Sequence, residues 1–231
     1  MKTFLTDHSG LEERLRYMKT ARFVLMRRSF PICCFLSCSF LVVFHAAAET
    51  TIPIDRDATG VARDVNLLGE AKFGNPESEI LVVGETAPDA SSSQAFLPFM
   101  LTKENREAIA KAKQITLHVS LLSKIGVKDW ELDLYGLPDH DEGGPVQKDY
   151  SSGELLEKGC VTGRSPASYQ VMDVTAFVKA QAKKSSFVAL KILARKDDDA
   201  LPNRDDLQNA FVFHSADQPD EKTIPFLRII P

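Results

Sequence analysis

Short segments that alternate between apolar and polar residues are the feature that most limits how this chain can fold. In residues 114–122, QITLHVSLL, one side of an extended chain carries Leu117, Val119 and Leu121, and the other side carries polar residues. Similar short apolar segments, bounded by turn residues, lie at 79–84, 94–101, 130–137, 186–194, 209–215 and 224–230. Period-2 alternation in short, evenly spaced segments is typical of antiparallel sheets with one buried face. The pattern predicts an all-β fold, an antiparallel β-sandwich.

Two short stretches have helical spacing instead. Residues 103–113, KENREAIAKAK, are acidic early and basic late, as the helix dipole favours. Residues 168–181, SYQVMDVTAFVKAQ, begin as a strand and continue as a helix, with Asp173 placed to cap the helix N-terminus. We expect one or two short helices to cover the open ends of the sandwich, with Phe177 and Val178 facing the space between the sheets.

The N-terminal quarter of the chain has the anatomy of a secretory signal peptide. Basic Met26-Arg27-Arg28 precedes an apolar stretch at 29–44 and a small-residue cleavage site at Ala46-Ala47-Ala48. The apolar stretch is shorter than the roughly 20 residues of a membrane-spanning helix, which favours cleavage, with an uncleaved anchor as the alternative. The prediction is a signal peptide at 26–48 and one domain at 49–231, secreted, periplasmic or on the cell surface. Residues 1–25 precede the signal peptide as an N-terminal extension. If translation starts at Met18 or Met26, this extension is an artefact of start-site assignment.

The predicted domain is acidic and has a single cysteine. Residues 49–231 contain 21 Lys and Arg against 29 Asp and Glu, a formal charge of −8. An acidic surface disfavours nucleic acid as a partner and, after signal cleavage, membranes as well. Cys160 is the one cysteine left in this part, so its stability must come from its core and not from an internal disulfide.

Six short segments follow one another along the chain in a recognisable order: Lys72-Phe73-Gly74, Ile80 to Gly84, Phe96 to Leu101, Ala112 to Val119, Met172 to Val178 and Pro225 to Ile229. Their succession resembles the DNRLRE-type domains of carbohydrate-binding module family 96. Two positions depart from the family pattern, since Met100 stands where an aspartate is usual and Tyr169 where a signature tryptophan is usual. The resemblance implies a secreted jelly-roll β-sandwich that binds a polysaccharide or cell-surface glycan.

The sequence lacks the common catalytic motifs, so it gives little support to the interpretation that the protein is an enzyme. The sequence has no G-x-S-x-G, H-E-x-x-H or glycine-rich phosphate loop, and nothing near Cys160 would activate its thiol. Oxygen-rich loops could hold a structural Ca²⁺. The predicted ligands are Asp55, Asp57, Asp197 and Asp199, and solvated loop charge is the alternative reading of each cluster.

Aromatic side chains that stack on sugar rings are sparse. Alternation places Trp130 on the apolar face with Leu132 and Leu134, so we expect it in the core. The predicted ligand-binding residues are Tyr135, with Glu131 and Asp133 on the same face, and Tyr150 in the polar segment 138–154, interpreted as a loop. The predicted function is non-catalytic glycan binding. The alternatives are a structural or interaction module that docks another envelope protein, and a divergent polysaccharide-degrading enzyme.

Overall fold

Antiparallel strands make up most of the described part of the chain. The computed structural model describes residues 49–64, 71–73, 79–86, 91–140, 143–195 and 209–231, which belong to the unit His45–Pro231. The strands in these residues are β1 (Thr50–Pro53), β2 (Gly60–Asp64), β3 (Ala71–Phe73), β4 (Ile80–Thr86), β5 (Ser91–Met100), β6 (Gln114–Ile125), β7 (Glu131–Gly136), β8 (Glu154–Thr162), β9 (Tyr169–Asp173), β10 (Phe187–Arg195), β11 (Asn209–His214) and β12 (Phe226–Ile230). The helices are α1 (Lys103–Lys111), α2 (Gln147–Ser151) and α3 (Thr175–Ala182), and a 3₁₀ turn covers Glu221–Thr223.

The long strand β6 joins two sheets. Its first half pairs with β12 on one edge and with β9 on the other, and β12 also pairs with β1. We call β1, β12, the first half of β6 and β9 the front sheet. The second half of β6 pairs with β11, which is followed by β4, β5, β10, β7 and β8 in hydrogen-bonding order. We call these six strands the back sheet, and β2 and β3 extend it from β5.

One hydrophobic core lies between the two sheets. Leu117 and Leu227 of the front sheet belong to the same buried cluster as Leu97, Leu190 and Phe211 of the back sheet. Beyond β1, the backbone N–H of residue 55 donates to the carbonyl of residue 98 in β5 at 2.8 Å, so the front sheet also closes against the back sheet. The predicted all-β class, an antiparallel sandwich with short helices at its ends, is confirmed.

Helices α1 and α3 cover one end of this core. The N–H of Leu101, before α1, donates to the carbonyl of Ser186, after α3, at 2.7 Å. Beyond the other end of α1, the N–H of Val174, which directly precedes α3, donates to the carbonyl of Ile115 at 3.0 Å. These two contacts show that the helices run antiparallel. The predicted first helix is found, although it ends at Lys111 and not at residue 113.

The apolar face of α3 points into the sandwich, as predicted. Phe177 is 6% exposed and Val178 is fully buried, and burying such a side chain stabilises a fold by about 1.5–3 kcal/mol. The Phe177 ring packs against the backbone of Gly136, where an added Cβ would lie 2.3 Å from a ring carbon. The N-terminal cap of α3 differs from the prediction by one residue, because Val174 and not Asp173 directly precedes the helix. Asp173 ends β9, and its Oδ1 accepts from the N–H of Thr175 at 2.9 Å.

The structure corrects part of the prediction of a polar loop at 138–154, because residues 138–140, 143–146, 152 and 153 are turns or irregular chain but a helix lies among them. The segment contains α2, and β8 begins at Glu154. It lies over the outer face of the back sheet, where Phe96, Leu137, Phe187 and other residues make a second, smaller hydrophobic cluster. None of the described helices is long and apolar enough to span a membrane. The predicted signal peptide and N-terminal extension lie outside the described residues.

Candidate functional site

The four predicted sugar-contacting residues lie on or beside the outer face of the back sheet. Glu131, Asp133 and Tyr135 share the outward side of β7, as alternation predicts. Asp133, however, is only 3% exposed, and its Oδ1 accepts from the N–H of Gly159 at 2.7 Å. Tyr135 is half-buried, with the Lys191 ammonium 5.6 Å from its ring centroid. The expectation of an exposed polar face therefore fails at Asp133.

A buried lysine joins the segment that contains α2 to the sheet beneath it. Lys191 of β10 is 3% exposed, and its Nζ donates to the carbonyls of Asp149, Tyr150 and Ser152 at 2.7, 3.0 and 2.6 Å. These carbonyls lie at the C-terminal end of α2, where the helix has free acceptors and favours a positive charge. Burial lowers the pKa of Lys191 to about 8, an effect that the nearby Asp149 partly offsets. Tyr150 is half-buried in this arrangement.

A histidine–aspartate contact holds the other end of the same segment. His140 Nδ1 lies 2.7 Å from Asp149 Oδ2, and His140 Nε2 lies 3.2 Å from the carbonyl oxygen of Gly143. The carboxylate also accepts from the N–H of Val146 at 2.9 Å. Both side chains are buried, and the imidazole packs against Phe96 with ring centroids 4.9 Å apart. The polar groups of this region are used to hold α2 in place.

The predicted calcium ligands are only partly described. Asp55 Oδ1 accepts from the N–H of Asp57 at 3.1 Å, which is a local turn after β1. Asp197 and Asp199 lie outside the described residues. Among the residues that the structure describes, no group of three or more His, Cys, Asp or Glu side chains is arranged to hold a metal ion.

Aromatic rings lie together on the outer face of the front sheet, a feature that sequence reasoning missed. The strand registers place Pro53, Phe226, His118 and Val171 side by side in one row across β1, β12, β6 and β9. The Phe226 and His118 rings are stacked with centroids 4.5 Å apart. Tyr169 stands edge-on to both, with centroids 5.8 Å from Phe226 and 6.2 Å from His118. We call Phe226, His118 and Tyr169 the front aromatic cluster.

An open cleft of about 480 Å³ adjoins this cluster and shares Phe226 with it. The cleft lies between β1, the turn after it and the 3₁₀ turn, and its lining includes Thr51, Pro53, Arg56, Lys222 and Ile224. Thr51, Pro53, Arg56 and Lys222 are exposed. An apolar base with a few charged and hydroxyl groups at its rim is the usual composition of a small-ligand site.

The electrostatics of the front aromatic cluster favour neutral rings. Burial, together with the positive charge of Arg228, lowers the pKa of His118 below its usual range. The imidazole Nε2 lies 2.9 Å from Thr116 Oγ1. Burial and the nearby Asp220 carboxylate raise the pKa of Tyr169, whose hydroxyl oxygen is buried and has no hydrogen-bond partner among the described residues. An uncharged hydroxyl is thus left with its hydrogen-bonding capacity unused beside the stacked rings.

Two other sequence expectations concern single side chains. Trp130 is half-buried and packs against the main core, in agreement with its predicted core position. Cys160 is a half-buried free thiol, and burial raises its pKa to about 12. Its Sγ donates to the carbonyl of Leu132 at 3.2 Å. A thiol in that state is not a nucleophile at neutral pH.

No protein-family model and no curated protein matches the chain.

Proposed function

We propose that the protein is a secreted, non-catalytic β-sandwich module that binds a polysaccharide or cell-surface glycan in the cleft beside the front aromatic cluster. The observation that carries the proposal is the stacked pair of Phe226 and His118 on the outer face of the front sheet, next to an open cleft with charged and hydroxyl groups at its rim. Sugars present both apolar C–H faces and many hydroxyls, so rings and polar side chains are needed side by side. Phe226 supplies the ring that lines the cleft, while Arg56, Lys222 and Thr51 supply groups that can hydrogen-bond to hydroxyls.

The position of the site departs from the one predicted from sequence. The outer face of the back sheet, with Tyr135 and Tyr150, lies beneath or beside the α2 segment, and Asp133 and Lys191 there already have backbone partners. On the front sheet, no described residue covers Val171 in this way, and its side chain is 56% exposed. Exposed apolar surface beside polar groups marks interaction sites more often than chance placement does.

The proposal is tested by measuring binding of the purified full chain to a panel of neutral and acidic polysaccharides. Arg56→Ala and Lys222→Ala remove exposed groups at the rim, so the fold should persist. Loss of one hydrogen bond from a charged donor is worth about 1.5–3 kcal/mol, so each variant should bind roughly tenfold or more weakly. Lys128→Ala and Arg164→Ala are matched controls, because both residues are exposed but lie outside the cleft.

Three results would contradict or change the proposal. Binding to no polysaccharide favours an interaction module that docks another envelope protein. If Arg56→Ala and Lys222→Ala leave polysaccharide binding unchanged, the site lies elsewhere on the protein. Shortening of any polysaccharide during incubation identifies an enzyme. A parallel series with EDTA tests the calcium expectation, because Asp55 and Asp57 flank Arg56, and bound Ca²⁺ would make binding or stability sensitive to the chelator.

A further inference from the structure

A second groove lies between helices α1 and α3, at the end of the sandwich that they cover. It has a volume of about 580 Å³, and its lining includes Ala110 and Ala182. Four cationic side chains flank it, against the single carboxylate of Glu107: Lys103 and Arg106 come from α1, and Lys179 and Lys183 come from α3 and its C-terminal end. Residues three or four apart lie one turn apart on the same helix face. Each helix therefore contributes two positive charges spaced by one turn along the groove.

The charge of this end is opposite to that of the rest of the domain. Residues 102–113 and 175–185, which contain both helices, have seven Lys and Arg and two Asp and Glu. The remainder of 49–231 has 14 Lys and Arg and 27 Asp and Glu. A local excess of cations on an acidic protein concentrates positive potential at one place and attracts acidic partners there.

The lining of the groove favours a peptide over a sugar. The groove has no aromatic residue among those that line it, so a sugar ring would have no face on which to stack. Its alanines are small and apolar, which lets an aliphatic side chain or another helix approach closely. The spacing of the cations along each helix also matches the spacing of carboxylates one turn apart on a partner helix.

We propose that the groove between α1 and α3 binds an acidic, amphipathic helical segment of a partner protein. The apolar side of that segment lies against Ala110 and Ala182, and its carboxylates pair with the cations on both walls. This interaction is separate from the glycan site, because the two regions share no lining residue. The module then holds a glycan on one surface and a protein on another.

The test uses a labelled peptide about 15 residues long, with Glu on one helical face and Leu and Ala on the other. Its binding to the full chain is followed by fluorescence anisotropy, alongside a peptide that has Gln in place of every Glu. The Glu peptide should bind roughly tenfold or more tightly than the Gln peptide, and added salt should weaken its binding.

Charge-reversal variants locate the site. Lys103→Glu, Arg106→Glu and Lys183→Glu are combined in one variant, since these side chains are exposed and their replacement should leave the fold intact. The matched control reverses Lys128, Lys158 and Arg164, three exposed cations outside the groove. The first variant should lose peptide binding by roughly tenfold or more, and the control should retain it.

Several outcomes overturn the proposal. The Glu peptide could bind no better than the Gln peptide, or both charge-reversed variants could behave alike. In another outcome, the Glu peptide fails to bind, but the unsubstituted protein binds polygalacturonate or vesicles with anionic lipid and the groove variant does not. That result would assign the surface to another polyanion. Neither result bears on the glycan cleft, which is tested separately by the neutral polysaccharides of the panel and by the Arg56 and Lys222 variants.

Discussion

Replacing Lys191 with methionine should destabilise the protein and release the α2 segment first. Methionine keeps the length and the apolar character of the lysine stem but has no donor for the carbonyls of Asp149, Tyr150 and Ser152. The bond to Asp149 is buried, whereas the other two are partly buried and can be replaced in part by water. A buried carbonyl left without a partner costs about 1–3 kcal/mol, and each partly buried one costs less. We expect Lys191→Met to lower the free energy of unfolding by about 2–4 kcal/mol.

The measurement is urea unfolding at pH 7, with native-state hydrogen exchange of residues 143–153 as a local readout. Lys148→Met is the matched control, because Lys148 is exposed on α2 and its Nζ lies 3.5 Å from Asp139. An exposed pair of this kind contributes about 0–1 kcal/mol. Equal destabilisation by both substitutions would refute the role assigned to Lys191, and so would unchanged exchange across the segment.

The pH dependence of stability gives an independent check on Lys191. Its folded-state pKa of about 8 is below the ordinary value of 10.5, so between these pH values the unfolded chain holds a proton that the folded chain has released. Stability due to this group therefore increases as pH rises through that interval, by up to about 3 kcal/mol, and is lowest below pH 8. The stability difference between the unsubstituted protein and Lys191→Met should grow from pH 7 to pH 10. A constant difference would show that burial does not perturb the lysine.

Two further predictions concern packing and thiol chemistry. Gly136→Ala places a methyl group 2.3 Å from the Phe177 ring and should lower the free energy of unfolding by about 1–3 kcal/mol, which is measured as a lower melting temperature. Gly144→Ala is the control and should change the melting temperature little, because the nearest neighbour of the added methyl group lies at 3.8 Å. Equal melting temperatures of the two variants would contradict the packing of Phe177 against Gly136. Cys160, with its pKa raised to about 12, should be modified by Ellman's reagent at pH 8 only after unfolding, as followed at that residue by peptide mass spectrometry. Rapid labelling of Cys160 in the native protein would show that its thiol is neither buried nor protonated as the structure indicates.

Regular alternation made most of the sheet predictable from the sequence. The strand predicted at 114–122 begins at the same residue in the structure and continues to Ile125. The segments at 79–84, 94–101 and 209–215 likewise correspond to β4, β5 and β11. In β6, Leu117, Val119 and Leu121 belong to the core and alternate with polar residues, so polarity there records the side on which each residue lies.

The elements that were missed lack such a local signal. Within the described part of the chain, strand β8 pairs with β7 alone and its register against β7 shifts. Gly159 within it has a positive φ of 64°, and the exposure of its residues does not alternate. Helix α2 is five residues long and follows Val146, which provides no capping side chain. Its main support is Lys191, some 40 residues away in the chain, and a contact of that range cannot be inferred from local propensity.

The front aromatic cluster was missed for a related reason. Alternation correctly places His118 on the outward side of its strand, and Tyr169 was noted only as a substitute for a tryptophan. Their proximity to Phe226 depends on the registers of β6 with β12 and with β9. Register joins residues more than 50 positions apart and is fixed by the packing of the whole sheet. A single sequence therefore gives the face of each residue but not its neighbours across strands.

The two outer faces of the sandwich differ in whether a chain segment covers their apolar residues, and this difference decides where a ligand can bind. On the back sheet, Phe96 and Phe187 are covered by chain that is itself held down by Lys191 and by the His140–Asp149 pair. Covering a face in this way requires an inserted segment and several buried polar contacts, each of which must be satisfied. No comparable cover lies over Val171 and Phe226 among the described residues, although the same chain builds one on the other side. A half-buried Phe226 ring that lines an open cleft is most simply explained by a partner that uses it, and glycan binding at that cleft is the proposal that this asymmetry supports.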